Sequence, residues 1–208
     1  MTDTFKLTYF KGNGRAALIR AILSYAKANW ENICLDHPKW GELKATGFAE
    51  FGQLPILEHN DKKLSQSAAI YMYLAKYYKI YGQNIDEEYQ INSLLCTIED
   101  IGPSFYALIF LRTEEEKKNT EKFKQVLKDK IQQYLKVFEA RYAKLGNGKY
   151  FLGDHFSLAD IFLAVQMNCF LVPFKDEDIV TPVAPNIKKL MDNVKANEMK
   201  EFFEKYFI

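Results

Sequence analysis

The sequence predicts an α/β half followed by an all-α half. Strand and helix patterns alternate up to about Ile80, whereas long amphipathic stretches without a strand pattern run from about Asp86 onward. A short polar link at residues 81–84 separates the two patterns. We therefore predict two domains, residues 1–81 and residues 86–208.

The first half opens with a strand, a turn and a helix. Apolar and polar residues alternate over Phe5–Phe10, which is typical of a half-buried strand. Gly12, Asn13 and Gly14 then provide a turn, and residues 15–28 carry apolar side chains at helical spacing.

Three more strands and two more helices follow before the link. We predict strands at residues 32–35, 54–58 and 63–65, and helices at residues 40–46 and 66–78. The connection between the last two strands is short enough for an antiparallel hairpin. The order β-α-β-α-β-β-α, with the first two strands parallel and the last two antiparallel, matches a thioredoxin-like sheet.

Two capping boxes mark helix starts in the second half. Thr113 and Glu116 form the first, whose helix we expect to continue to Leu145. Ser157 and Asp160 form the second, and the apolar residues after it predict a buried helix. Two short helices are expected after the prolines at 182 and 185.

Composition limits the classes of partner. Lys and Arg total 28 against 27 Asp and Glu, and this balance gives no field that would attract nucleic acid or an anionic membrane. The most apolar stretch, residues 161–174, is too short to cross a bilayer of about 30 Å. The 3 cysteines are far apart, which suits a reducing compartment. We expect a soluble, cytoplasmic protein whose partner is a small molecule or another protein.

Two short patterns are typical of other kinds of site, one that binds a dinucleotide and one that binds a metal. Gly12 to Ala17 fits the Gly-x-Gly-x-x-Ala pattern of dinucleotide binding, with Asp36 further along, but a doubly wound fold needs more parallel strands than this chain offers. Cys34 and His37 have a metal-ligand spacing without a second ligand pair. We therefore predict a plain glycine turn and no metal.

A series of short motifs runs through nearly the whole chain. The motifs are LTYF (Leu7 to Phe10), GR (Gly14, Arg15), W-x-x-x-K (Trp40 to Lys44), FGQLPIL (Phe51 to Leu57), SQSAAI (Ser65 to Ile70), the pair Glu99 and Asp100, and FLGDHFSLADI (Phe151 to Ile161). In this order and approximate spacing they resemble the cytosolic glutathione transferases, most of all the sigma class, which includes the glutathione-dependent prostaglandin D synthases. The resemblance implies the glutathione transferase fold, with glutathione bound by the thioredoxin-like domain and an apolar substrate bound in the helical domain.

The resemblance also assigns roles to residues. Tyr9 and Arg15 would be catalytic, and the bond before Pro55 would be cis. Asp100 would reach glutathione bound to the neighbouring subunit, which implies a homodimer. The implied glutathione-binding residues are Tyr9, Arg15, Trp40, Lys44, Gly52, Gln53, Leu54, Pro55, Gln66, Ser67 and, from the partner subunit, Asp100.

The role implied for Tyr9 is chemically reasonable. A thiol of pKa about 8.5 is a few per cent ionised at neutral pH, and lowering that pKa by two units requires about 2.7 kcal/mol. A single charge-assisted hydrogen bond supplies roughly 1.5–3 kcal/mol. The alternative is a strand-end tyrosine without a role.

The second substrate implied by the resemblance is a small apolar electrophile. Peroxide reduction and prostaglandin isomerisation are further reactions that it allows, and a non-catalytic ligand carrier or crystallin-like structural protein is the alternative. The residues expected to contact this substrate are Phe10, Gly14, Tyr106, Phe162 and Ile208.

Overall fold

The computed structural model describes residues 3–111 and 113–207 of the chain. They divide into two compact units, one of residues 3–81 with 198–207 and the other of residues 82–197. Residues 198–207 group with the first unit, although the predicted helical domain, residues 86–208, includes them. No helix among the described residues combines the length and the apolar character needed to cross a membrane.

The first unit contains a four-stranded mixed sheet in the order β2-β1-β3-β4. Strands β1 and β2 are parallel, and β3 is antiparallel to both β1 and β4. This arrangement confirms the predicted thioredoxin-like topology and excludes the doubly wound sheet of a dinucleotide-binding fold. In chain order the elements are β1 (Phe5–Phe10), α1 (Ala17–Tyr25), β2 (Trp30–Leu35), α2 (His37–Ala45), β3 (Ile56–His59), β4 (Lys62–Ser65) and α3 (Ser67–Tyr77).

Helix α2 begins earlier than the predicted start at Trp40. The side chain of Asp36 accepts a hydrogen bond from the amide of Lys39, 2.9 Å away, and caps the helix. Pro38 lies in the first turn, where its missing N–H costs nothing. Asp36, the acidic residue of the dinucleotide-like pattern, is therefore a helix cap.

The second unit is helical. Its capping box at Thr113 is present, but the single long helix predicted after it was wrong, because the helix is interrupted at Asn119. The Asn119 side chain donates to the carbonyl of Glu115 and so competes with the backbone ladder. The α-helices of this unit are α4 (Ile85–Leu95), α5 (Thr97–Ile109), α6 (Glu114–Lys118), α7 (Thr120–Lys144), α8 (Leu158–Ile161), α9 (Met167–Leu171) and α10 (Pro185–Ala196).

The capping box at Ser157 confirms the predicted start of a buried helix. The Asp160 carboxylate accepts hydrogen bonds from the amides of Phe151 and Ser157 and from the Ser157 hydroxyl, at 2.8, 2.8 and 2.9 Å. Burial raises the pKa of Asp160 to about 6, although these hydrogen bonds favour its charged form. A π-helical turn, Phe162–Gln166, joins α8 to α9.

The last helix, α11 (Lys200–Tyr206), packs against α1 in the first unit. The side-chain amide of Asn13 donates to the carbonyl of Tyr206, 3.0 Å away. This hydrogen bond ties the end of α11 to the turn that follows β1.

Candidate active site

Tyr9 and Arg15 meet at the end of β1. The backbone amide of Arg15 donates a hydrogen bond to the Tyr9 hydroxyl, with a distance of 3.0 Å between nitrogen and oxygen. The Tyr9 side chain is half-buried, and its ring contacts that of Phe10 edge-on. The two residues predicted to be catalytic are therefore in direct contact.

Gly14 makes this contact possible. Its φ of +39° lies in the left-handed region, which side chains disfavour. A Cβ atom at residue 14 would stand 2.6 Å from the Tyr9 hydroxyl oxygen, closer than real Cβ contacts allow. Glycine is thus required both by the backbone conformation and by the space next to the tyrosine.

Arg20 was missed by the sequence analysis. It is the only charged residue of α1, and its exposed fraction is 0%. Its guanidinium donates to the carbonyls of Phe10 and Gly12 and to the side-chain oxygen of Asn32, at 2.8, 2.6 and 3.2 Å. A lone charge in an otherwise apolar helix was the signal that could have identified it.

Helix α2 carries Trp40 and Lys44 one helical turn apart. Trp40 is half-buried and Lys44 is exposed. A Cβ atom at Gly52, where φ is +59°, would lie 3.2 Å from Cε of Lys44. The lysine stem therefore passes over the backbone of Gly52, next to the exposed Gln53.

The loop before β3 and the start of α3 hold the other residues of the predicted site. The Leu54–Pro55 bond is cis, as predicted. Gln66 precedes α3 with a φ of 68°, which is uncommon for a residue with a side chain, and Ser67 is the first residue of the helix. The first amides of an α-helix have no partner within that helix, so this terminus suits an anion.

Asp100 lies on α5 of the second unit, where it is exposed and accepts hydrogen bonds from two side chains of α7. The Tyr134 hydroxyl donates to the Asp100 carboxylate, and the Lys130 ammonium donates to its backbone carbonyl, at 2.8 and 2.9 Å. Burial and the hydrogen bond to Asp100 raise the pKa of Tyr134. The carboxylate therefore has a fixed position on α5.

The residues predicted to contact the apolar substrate differ in their surroundings. The Phe10 ring lies 4.9 Å from that of His37, and the Tyr106 ring stacks on that of Phe110. Phe162 has an exposed fraction of 0% and packs edge-on against Phe138, so it has no surface for a ligand and we correct its assignment to a core residue. The prediction for Ile208 lies outside the described residues.

The described residues contain no group of three or more His, Cys, Asp or Glu side chains able to hold a metal ion. Cys34 and His37, the pair with metal-ligand spacing, belong to no such group.

Comparison with protein families identifies both parts of the chain. Residues 5–76 match the N-terminal domain of glutathione S-transferase, and residues 99–205 match its C-terminal domain. The chain belongs to the glutathione S-transferase family. Its mixed sheet followed by helices is the fold of that family, as the resemblance implied.

Individual relatives of this glutathione S-transferase agree. The chain is 30% identical over 200 residues to the class-mu 28 kDa glutathione S-transferase isozyme of Schistosoma bovis, covering 94% of this chain and 91% of that protein. It is 31% identical over 193 residues to the hematopoietic prostaglandin D synthase of Gallus gallus, covering 92% and 90%. The solved structure of monomeric Na-GST-3, a glutathione S-transferase of the hookworm Necator americanus, matches with a TM-score of 0.81 and 29% identity, covering 97% of this chain and 96% of that one. The names of these relatives are those of enzymes. This glutathione S-transferase is accordingly an enzyme that uses glutathione, rather than a ligand carrier or structural protein.

Proposed function

We propose that this protein joins glutathione to small apolar electrophiles, and that the Tyr9 hydroxyl stabilises the attacking thiolate. The observation that carries the proposal is the 3.0 Å hydrogen bond from the Arg15 amide to the Tyr9 hydroxyl. Because the phenol oxygen is the acceptor in that bond, its own proton stays available for donation to another atom. The amide also polarises the O–H group, which strengthens it as a donor.

One hydrogen bond of this kind is sufficient for the chemistry. Lowering the pKa of a thiol from about 8.5 to about 6.5 takes about 2.7 kcal/mol of preference for the charged form. A hydrogen bond to a charged acceptor is worth roughly 1.5–3 kcal/mol. The ionised sulfur then attacks the electrophilic carbon, and the leaving group departs with the displaced electron pair.

The rest of glutathione fits the polar groups of the first unit. The free amides at the start of α3, beside Gln66 and Ser67, suit the γ-glutamyl carboxylate. Lys44, directed over Gly52 with Trp40 one turn earlier, suits the glycyl carboxylate at the other end. The backbone of Leu54, with Gln53 and Pro55 on either side, would pair with the central cysteinyl residue as an added strand does.

The proposal includes a cytoplasmic homodimer of the sigma class. Asp100, held by Tyr134, would receive the amino group of glutathione bound to the partner subunit. Cys34, Cys96 and Cys169 are not joined to one another by a disulfide, which agrees with a reducing compartment. The apolar electrophile would lie against Phe10 and Gly14, next to the Tyr9 ring.

A second activity is supported by one relative. Because the chain is 31% identical to a prostaglandin D synthase, we also propose the glutathione-dependent isomerisation that forms prostaglandin D. Incubation with a prostaglandin endoperoxide tests this activity. Formation of prostaglandin D only when glutathione is present supports it, and a product mixture equal to that formed without enzyme contradicts it.

The decisive experiment for the main proposal is the variant Tyr9→Phe. We expect the enzyme to bind glutathione still, because the other contacts remain, while the pKa of the bound thiol rises towards its value in water. The ultraviolet absorbance of the thiolate, followed against pH on the enzyme with glutathione bound, measures that pKa. An unchanged titration would remove Tyr9 from the mechanism.

A further inference from the structure

Arg20 is a buried cation beside the candidate active site. Its side chain is fully buried, and its recorded partners in the described part of the chain include no carboxylate. Burying a charge is costly unless other groups compensate it, and here two backbone carbonyls and one side-chain amide oxygen do so only in part. An apolar residue could fill a purely structural role at this position. The buried charge of Arg20 therefore indicates a function beyond packing.

The hydrogen bonds of Arg20 act on the segment next to Tyr9. The carbonyls of Phe10 and Gly12 lie on either side of Lys11, immediately after the tyrosine, and both accept from the same guanidinium. This segment leads into Gly14 and Arg15, whose amide holds the Tyr9 hydroxyl. By fixing both carbonyls, Arg20 fixes the distance between the end of β1 and that amide.

The charge of Arg20 also lies close to the phenol. The guanidinium carbon is 5.6 Å from the centre of the Tyr9 ring and 5.9 Å from the centre of the Tyr206 ring. The titratable groups that interact with it are Cys34 on β2, Tyr206 on α11 and Tyr9 itself. Burial lowers the pKa of Arg20, yet an arginine stays protonated throughout the neutral range. A full positive charge therefore stands behind the tyrosine.

We propose that Arg20 is a positioning residue of the glutathione reaction, which holds the turn that orients Tyr9 and favours the thiolate through its charge. The inference rests on the proposed function, because it acts on a sulfur bound at Tyr9. A cation about 8 Å from a partly shielded anion shifts the anion's pKa by about one unit. Arg20 would thus add to the effect of the Tyr9 hydrogen bond.

Three variants separate the charge from the hydrogen bonds and from general packing. Arg20→Met removes both the charge and the hydrogen bonds, and Arg20→Lys keeps the charge but cannot span both carbonyls. Arg141→Met is the matched control, because Arg141 is a half-buried arginine of the second unit whose side chain donates to Ser93. For each variant we would measure the pKa of the bound glutathione thiol, the pH profile of kcat/KM, the KM for glutathione and the melting temperature.

We expect Arg20→Met to raise the thiol pKa by about one unit and to shift the acidic limb of the kcat/KM profile upward equally. Arg20→Lys should keep the thiol pKa and lose several-fold in kcat, since the turn is less firmly held. Arg141→Met should lower the melting temperature without shifting the pKa. Should Arg20→Met fail to fold, the neutral hydrogen-bonding variant Arg20→Gln replaces it with the same expected shift.

The inference is overturned if neutral variants of Arg20 leave the thiol pKa and the pH profile unchanged, even when they lower the melting temperature as the control does. It is also overturned if Arg20→Lys retains the full kcat. This failure differs from that of the proposed function. If Tyr9→Phe raises the thiol pKa and Arg20→Met does not, only the role of Arg20 is lost, whereas no change in Tyr9→Phe removes the proposed mechanism itself.

Discussion

Gly14 lies so close to Tyr9 that a single methyl group on residue 14 would overlap the tyrosine hydroxyl, at 2.6 Å from its oxygen. The same hydroxyl accepts the amide proton of Arg15. The glycine, the turn and the phenol are therefore one geometric unit, and a change at residue 14 tests it without altering any functional group.

We expect Gly14→Ala to reduce kcat/KM by about five- to 150-fold, because overpacking that displaces a group costs about 1–3 kcal/mol. The comparison variant is Gly41→Ala in α2, where an added Cβ meets no atom within 4 Å. Steady-state kinetics with a chlorodinitrobenzene as electrophile gives both values. Equal kcat/KM values for the two variants would show that the close approach of Gly14 to Tyr9 does not affect catalysis.

Lys44→Met should raise the KM for glutathione by about one and a half to fivefold. The factor is modest because an exposed ion pair contributes about 0.2–1 kcal/mol. Lys39→Met is the matched control, because Lys39 lies on the same helix with its ammonium 4.0 Å from the Asp36 carboxylate, and it should leave KM unchanged. The sharper check uses glutathione esterified at its glycyl carboxylate, for which wild type and Lys44→Met should have the same KM. If Lys44→Met raised the KM for the ester as much as the KM for glutathione, the assigned contact between Lys44 and the glycyl carboxylate would be wrong.

Asp100→Asn tests the proposed contribution of the partner subunit. We expect a higher KM for glutathione and a normal far-ultraviolet spectrum, because Asp100 is exposed and the Tyr134 hydroxyl can donate to an amide oxygen as it does to the carboxylate. Glu99→Gln removes the neighbouring negative charge and should have a smaller effect. Size-exclusion chromatography with light scattering supplies the mass. A monomer of normal glutathione affinity would contradict both the dimer and the role of Asp100.

Asp160 should give the protein a specific dependence of stability on pH. Its pKa is raised from 3.8 to about 6, so between these values the folded protein binds more protons than the unfolded chain does. The free energy of unfolding contributed by this group therefore falls as pH rises from about 4 to about 6 and is constant above that window. Asp160→Asn should be less stable, because an amide has one acceptor oxygen and cannot accept from both Ser157 and the Phe151 amide. The stability gap to wild type should narrow as pH rises through the same window. Urea unfolding at several pH values measures the gap, and a gap that widens towards pH 6 would contradict the raised pKa.

The sequence predicted the sheet well because its strands carry clear patterns. The bounds of β1 agree with the alternation over Phe5–Phe10, and the two capping boxes lie where they were expected. Helix limits were less predictable where one polar side chain decides them. Asp36 begins α2 early and Asn119 interrupts the helix after Thr113, and both act through local hydrogen bonds that a hydrophobic period does not record.

Some residues of the candidate site were predictable from the sequence and others were not. Tyr9, Gly14 and Arg15 lie close together in the sequence, and the motifs LTYF and GR predicted them. The lone charge of Arg20 in α1 could have been noticed, but its contacts with Phe10, Gly12 and Asn32 arise only in the folded chain. Phe162 was predicted, with other apolar residues, to contact a flat apolar electrophile, whereas its side chain is fully buried and belongs to the core of the second unit.

The hydrogen bond between Asn13 and Tyr206 joins residues 193 positions apart. During translation the sheet is made before the helix that packs on α1, and the whole second unit is made between them. Such a distant partner slows the completion of a unit, since the chain between must first be closed into a loop. The first unit to appear is therefore the last to be finished, and a nascent chain halted within the second unit would display an uncovered face of α1.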